Sequence, residues 1–158
     1  MSTLEERVKQ IRAANEKTIR AQGFIVENVF ATEDAAGPDF NYTVGLHDRG
    51  LPELVVLGLP LNVGHHLVQE IAKFALAQKA MGNPLPTEVQ LPQFSVPFTL
   101  RPADPSKAKE FAVDADVRSN GAAAYLQIMW PDKHGRMPWA QEAEESFRKA
   151  QPVLGFIQ

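Results

Sequence analysis

The densest chemistry in this sequence lies in Trp130-Pro-Asp-Lys-His-Gly-Arg-Met-Pro-Trp139, which holds both tryptophans of the chain. Between the two indoles stand Asp132, Lys133, His134 and Arg136. The Asp132–Gly135 stretch makes a tight turn. Two indoles on such a rigid turn can wall a pocket, with Arg136 offering a planar fork to a carboxylate or phosphate and Asp132 orienting that fork. The other reading is a lock, in which Asp132 accepts from turn amides, the indoles seal the core and Arg136 pairs with a carboxylate. A second stretch, Tyr42-Thr-Val-Gly-Leu46 followed by Pro52-Glu53-Leu54 and Gly58-Leu-Pro60, carries glycines inside strand-like patterns. Such glycines mark bulges or a close backbone approach. Glu53, at the mouth of a buried strand, needs a partner if it is covered, and Arg49 or Arg136 could serve. The site to test therefore joins Tyr42, Glu53, Trp130, Asp132, Arg136 and Trp139 around a small anionic ligand.

Other chemistry is thin. His66 and Glu70 stand four apart on a predicted helix, a spacing that can bring both to one metal, and His47 comes from a nearby turn. The plainer reading puts His65 and His66 on the wet side of that helix. With zero cysteines there is no disulfide, no thiol nucleophile and no thiolate metal site, so no metal and no cofactor is expected. Nucleotide-binding glycine motifs, GxSxG and HExxH are absent.

These residues need elements to hold them. Residues 2–22 read as a helix opened by a Thr3/Glu6 capping box, with Leu4, Val8, Ile11 and Ile19 near helical spacing. Its local charge of +2 reads as a solvated face. Strands follow at 24–30, 40–46 and 53–59, the first two separated by a turn at Asp34–Asp39. A helix capped by Asn62 runs to about Met81 with Val63, Leu67, Ile71, Phe74 and Met81 facing the sheet. Six of the 12 prolines fall in residues 84–105, which limits 89–91 and 94–100 to edge or bulged strands. A helix at 106–117, a strand at 123–130 and a helix from Pro138 or Trp139 to about 150 complete the pattern. The expectation is one α+β domain at 23–158 behind a helical extension at 1–22. Its sheet is mainly antiparallel, mixed, of about five or six strands, packed by three or four helices.

Composition bounds the class. The 158 residues are 44% hydrophobic and 22% charged, enough for one packed core. A net charge of −3 argues against a nucleic-acid coat, and no apolar run reaches the length that spans a bilayer. No apolar signal segment follows the charged N-terminus, so a cytoplasmic location is expected.

Tyr42-Thr-Val-Gly-Leu46, Gly50-Leu-Pro-Glu-Leu54 and Gly58-Leu59 occur in order with Leu126-Gln127, Trp130-Pro-Asp132, Gly135-Arg136, Pro138-Trp139 and Gln151-Pro152. Together they resemble the bacterial family known as domain of unknown function 4262, over most of the chain from Gly23. The resemblance implies a small stand-alone protein without an assigned activity, and it demands histidine at none of the four positions found here. Two functions stay open: a small-molecule binding protein or enzyme, and a non-catalytic protein–protein interaction module. A concave cavity where the two stretches meet would favour the first, a filled core the second. No nucleic-acid or membrane partner is expected, and a homo-oligomer is left open.

Overall fold

A reciprocal cap starts the first element. Thr3 Oγ1 accepts the Glu6 amide at 3.1 Å while the Glu6 carboxylate accepts the Thr3 amide at 3.2 Å, and helix α1 runs Leu4–Gln22. The computed structural model describes residues 3–31 and 37–155, so the turn expected from Asp34 lies partly outside the described residues. The chain continues through β1 (Ile25–Val29), β2 (Phe40–Val44), β3 (Glu53–Leu57), α2 (Leu61–Ala80), β4 (Glu88–Val89) and β5 (Phe98–Ala103). It ends with α3 (Pro105–Phe111), α4 (Val113–Arg118), β6 (Tyr125–Met129) and α5 (Glu145–Ala150). The strands form one sheet in the order β1-β2-β3-β6-β5-β4. Only the β3–β6 pair is parallel. This is the mixed, mainly antiparallel α+β sheet expected from the sequence.

Both faces of the sheet are covered, which is why β3 reads as an unbroken apolar run and all its residues are buried. Leu54 and Val56 face α2 through Leu67, Val68 and Ile71. Val55 and Leu57 face the other way, onto Ile19 of α1, Ala108 of α3, Ala115 of α4 and Leu154 of the C-terminal segment. That segment is sewn to β6 by side-chain amides. Gln127 donates to Pro152 O and accepts from the Leu154 amide, each at 2.7 Å. Gln151 exchanges bonds with the backbone of Trp130 at 2.8 and 2.9 Å. Both glutamines are fully buried and stand in for a missing strand.

Several boundaries differ from the sequence reading. Helix α2 begins at Leu61 behind Pro60, with no side-chain cap, and Asn62 lies inside its first turn. Its buried face centres on Gly64, Leu67, Val68, Ile71 and Ala75. Phe74 is only half-buried and Met81 is exposed, because the sheet ends short of the last helical turn. The expected helix at 106–117 breaks at Ala112, whose ψ of 57° is not helical. The Asp114 amide freed by the break goes to Tyr42 Oη at 3.2 Å. The last helix starts at Glu145 rather than Trp139, and turns at Met137–Ala143 precede it. Strand β5 is flanked on both sides, but the β4 side bonds it only as far as Leu100, so Pro102 still sits on an open edge.

Glu53 is 1% exposed, and the expected Arg49 or Arg136 partner is replaced by backbone. The β2–β3 ladder stops at Tyr42↔Val55. Beyond it Thr43 Oγ1 accepts the Leu54 amide and donates to Glu53 Oε1, both at 2.8 Å. The same carboxylate accepts the amides of Gly45 and Leu46 at 3.0 Å and His47 at 3.3 Å. Burial pushes the Glu53 carboxyl up from its ordinary value, and these four donors pull against that shift. Each oxygen takes two of them. Glu53→Gln would turn an NH2 toward two donors and leave them unpaired, at about 1–3 kcal/mol each, offset in part by removal of a buried charge. The expected result is a loss of about 2 kcal/mol or more in urea unfolding; a change below about 0.5 would show that the carboxylate does not hold this turn.

Candidate functional site

The six residues singled out from the sequence fall in separate places. Tyr42 is buried on β2, its hydroxyl tying down α4 and its own ionisation pushed up by burial. Glu53 opens β3, whereas the Trp130 indole donates to Leu57 O at the far end of that strand, 2.8 Å away. Four residue steps along β3, about 13 Å, separate Glu53 from Leu57. At the Trp130 end the indole itself is packed in, with an open concavity beside it along Gly58, Leu59, Pro60 and Ala150. The Trp130 ring meets Phe147 edge-on at 5.0 Å, and a side chain at Gly58 would run into Ala150 O and Trp130, so only glycine fits there.

The Trp130–Trp139 turn does bring Asp132 and Arg136 together. Asp132 Oδ1 accepts the His134 and Arg136 amides at 2.8 and 2.9 Å, and Oδ2 accepts Arg136 Nε at 3.1 Å. Burial opposes the ionised form, yet these donors hold the Asp132 carboxyl below its ordinary value. Trp139 is 49% exposed, with the Arg101 guanidinium 4.8 Å above its ring. Among the described residues no three His, Asp or Glu side chains are grouped to hold a metal. Instead His65 bonds Asn28 at 3.1 Å and His66 stacks on Phe94.

An apolar concavity lies elsewhere, between α1 and α4. It encloses about 560 Å³ over a floor of Ile19, Ile25 and Val44, with Val8 and Ile11 on one wall and Val117 on the other. The apolar surface continues one helical turn along each wall, to Leu4 and Val113. These five account for most of the large hydrophobic side chains exposed among the described residues: Leu4 at 78%, Ile11 at 61% and Val117 at 71% are the most open of them. The stripe 4-8-11 was visible in the sequence as helical spacing. Its exposure was not, since such a face is usually buried.

An ion-pair node fixes the width of the groove. Arg118 of α4 grips Glu16 of α1 with two nitrogens, at 2.8 and 3.1 Å, and reaches Asp48 at 2.8 Å. Asp48 belongs to the short 3-10 helix Leu46–Arg49, whose start the Glu53 carboxylate holds. Ile19 packs where Gly45, at φ 118°, has no Cβ to block it. Nothing in spacing could have revealed a node whose members lie far apart in the chain.

The fold and these features define a single α+β domain with a filled central sheet and an open apolar groove on one flank. Residues 18–144 match the family described as Domain of unknown function (DUF4262), and the chain belongs to that family. The matched stretch includes all six strands and the Trp130–Trp139 turn, and excludes the first 14 residues of α1 and all of α5. No curated protein and no solved structure matches the chain. Among the described residues no helix is long and apolar enough to cross a membrane.

The node carries a pH dependence. The hydrogen bonds of the Arg118 guanidinium pull Glu16 below its ordinary 4.5 and Asp48 below its ordinary 3.8. Groups with lowered folded values contribute stability above their unfolded values and lose it as pH falls through the folded ones. Arg118→Ala should therefore lower the Tm at pH 7 by the equivalent of about 1 kcal/mol or less. The difference from the wild type should shrink as the pH falls below the ordinary carboxylate range and through the lowered folded values. A gap that persists there would assign the effect to packing of the Arg118 stem.

Proposed function

We propose that this chain is a protein-interaction module whose α1–α4 groove takes an amphipathic helix from a protein partner. The observation that carries the reading is the apolar surface of Val8, Ile11 and Val117, exposed on the two walls of one groove, with Leu4 and Val113 exposed one helical turn beyond it. Contiguous exposed apolar surface rimmed by charge marks binding sites. A trough between two helices with an apolar floor suits a helix docking by residues at i, i+3 and i+4. The Trp130 indole is taken up by Leu57 O and Phe147, although Leu51, Pro52 and Leu126 of the two stretches do line a concavity of about 420 Å³.

The test places a photoreactive residue at position 117, with a second at Lys73 on the outer side of α2 as control, in the cells that make the protein. Cross-links from 117 to a helical segment of a protein, absent from 73, are expected. Equal backgrounds at both positions would remove the groove as an interface.

A second reading keeps an anionic small molecule at the Trp130–Trp139 turn. In its favour, Asp132 orients the Arg136 fork through Nε, while the remaining guanidinium nitrogens have no partner among the described residues. Arg136→Ala and Arg136→Lys should then abolish retention of a small acid in native mass spectrometry while leaving the Tm within about 2 °C. Equal Tm losses in both, with no ligand retained, would make Arg136 structural.

A further inference from the structure

We infer that the helix occupying this groove is α1 of a second copy of the same chain, so that two copies exchange their first helices about a two-fold axis, antiparallel. The inference rests on the groove reading above and adds the occupant.

The argument begins with what α1 leaves uncovered. Every residue from Leu4 to Ala14 is exposed, and Ile19 is the helix's one buried side chain. The exposed turns are thus held by little packing within their own chain. This segment, Leu4–Asn15, spans about 18 Å, and helices in proteins draw most of their stability from packing of an apolar face, which here is left open. Yet it carries its own cap and a regular seam. In heptad terms Leu4 and Ile11 fall at d, Val8 and Asn15 at a, with Glu5 and Arg12 at e and Arg7 at g.

The charges beside that seam choose both partner and direction. A parallel pairing would set Arg7 at g against Arg12 at e of the other copy, on both sides, repelling twice. An antiparallel pairing sets Glu5 against Arg12 of the other copy, and Arg12 against Glu5, attracting twice. Its layers then bring Val8 onto Ile11 and Leu4 onto Asn15. Arg12 already lines the groove, so the flank carrying Glu5 and Arg12 is the one turned toward α4. Among the described residues neither Glu5 nor Arg12 has an ion-pair partner, so both are free to make this contact.

Each helix also meets the Val113–Val117 wall of the other copy, and two-fold symmetry makes every such contact twice. That doubling brings so short a segment within reach of the ~1,000 Å² of total burial a specific interface needs.

Sedimentation equilibrium of the full chain over about 1–100 µM tests the state, since association follows mass action. The wild type should run at twice the chain mass. Glu5→Arg and Arg12→Glu each turn two attracting pairs into repelling ones and should weaken dimerisation by about tenfold or more; the double variant restores the pairs and should recover the wild-type constant to within about threefold. Both positions are exposed, so thermal unfolding should show folded monomers. A dimer indifferent to either single change, or not rescued by the double, overturns the antiparallel α1 pairing. A wild type that stays monomeric, with cross-links from position 117 reaching a different protein, overturns the second copy as occupant and leaves the groove an interface. Absence of any cross-link from 117 would remove both.

Discussion

A carboxylate buried between two parting strands organises this molecule. Where β2 leaves β3, the ladder would expose a row of unpaired amides in the core, and Glu53 accepts three of them together with the Thr43 hydroxyl. Buried amides left without acceptors are costly, so the carboxylate fixes the path of Gly45, Leu46 and His47 rather than merely decorating it. That path seats Ile19 against Gly45 and places Asp48 where Arg118 can hold it together with Glu16. The separation of α1 and α4, and hence the groove, follows from a group at the opposite end of β3 from the tryptophan turn.

The tryptophan turn serves the other end. Trp130 closes the space above β3 and β6, and Gln127 and Gln151 give the C-terminal segment the backbone partners that a further strand would supply. Both faces of the sheet are covered and β3 is buried along its whole length, while a concavity of about 420 Å³ opens beside Leu51, Pro52 and Leu126. Among the described residues the exposed apolar surface is peripheral: the walls of the groove, Phe30, Met81 and the half-exposed Trp139 under Arg101.

Much of the scaffold was legible because it obeys local rules. The Thr3/Glu6 cap, the alternation in β2, the apolar run of β3 and the proline load around β4 and β5 each reflect short-range geometry that repeats in any chain. The misreadings share one cause. Residues 106–117 have helical composition throughout, but the hydroxyl of Tyr42, 72 positions away, takes the Asp114 amide and the helix breaks at Ala112. Trp139 to Glu144 likewise lack helix-breaking residues, yet their carbonyls are drawn to the Arg148 guanidinium, which binds Ala140 O and Gln141 O. A long-range polar partner overrides local preference wherever the preference is weak.

By itself the sequence determined the class of fold, the family and the turn that orients Arg136 on Asp132, since periodicity, proline placement and a four-residue spacing are all local quantities. It also singled out Glu53 as a group requiring partners, because a carboxylate at the mouth of a buried strand cannot stay unpaired. Only the tertiary structure decided what those partners are, that Glu53 and Trp130 stand at opposite ends of one strand, and that Leu4, Val8 and Ile11 face an open groove. Whether an apolar stripe is core or surface depends on what lies across from it. That is a relation between distant parts of the chain, and it exists only once the sheet has set where α4 stands relative to α1.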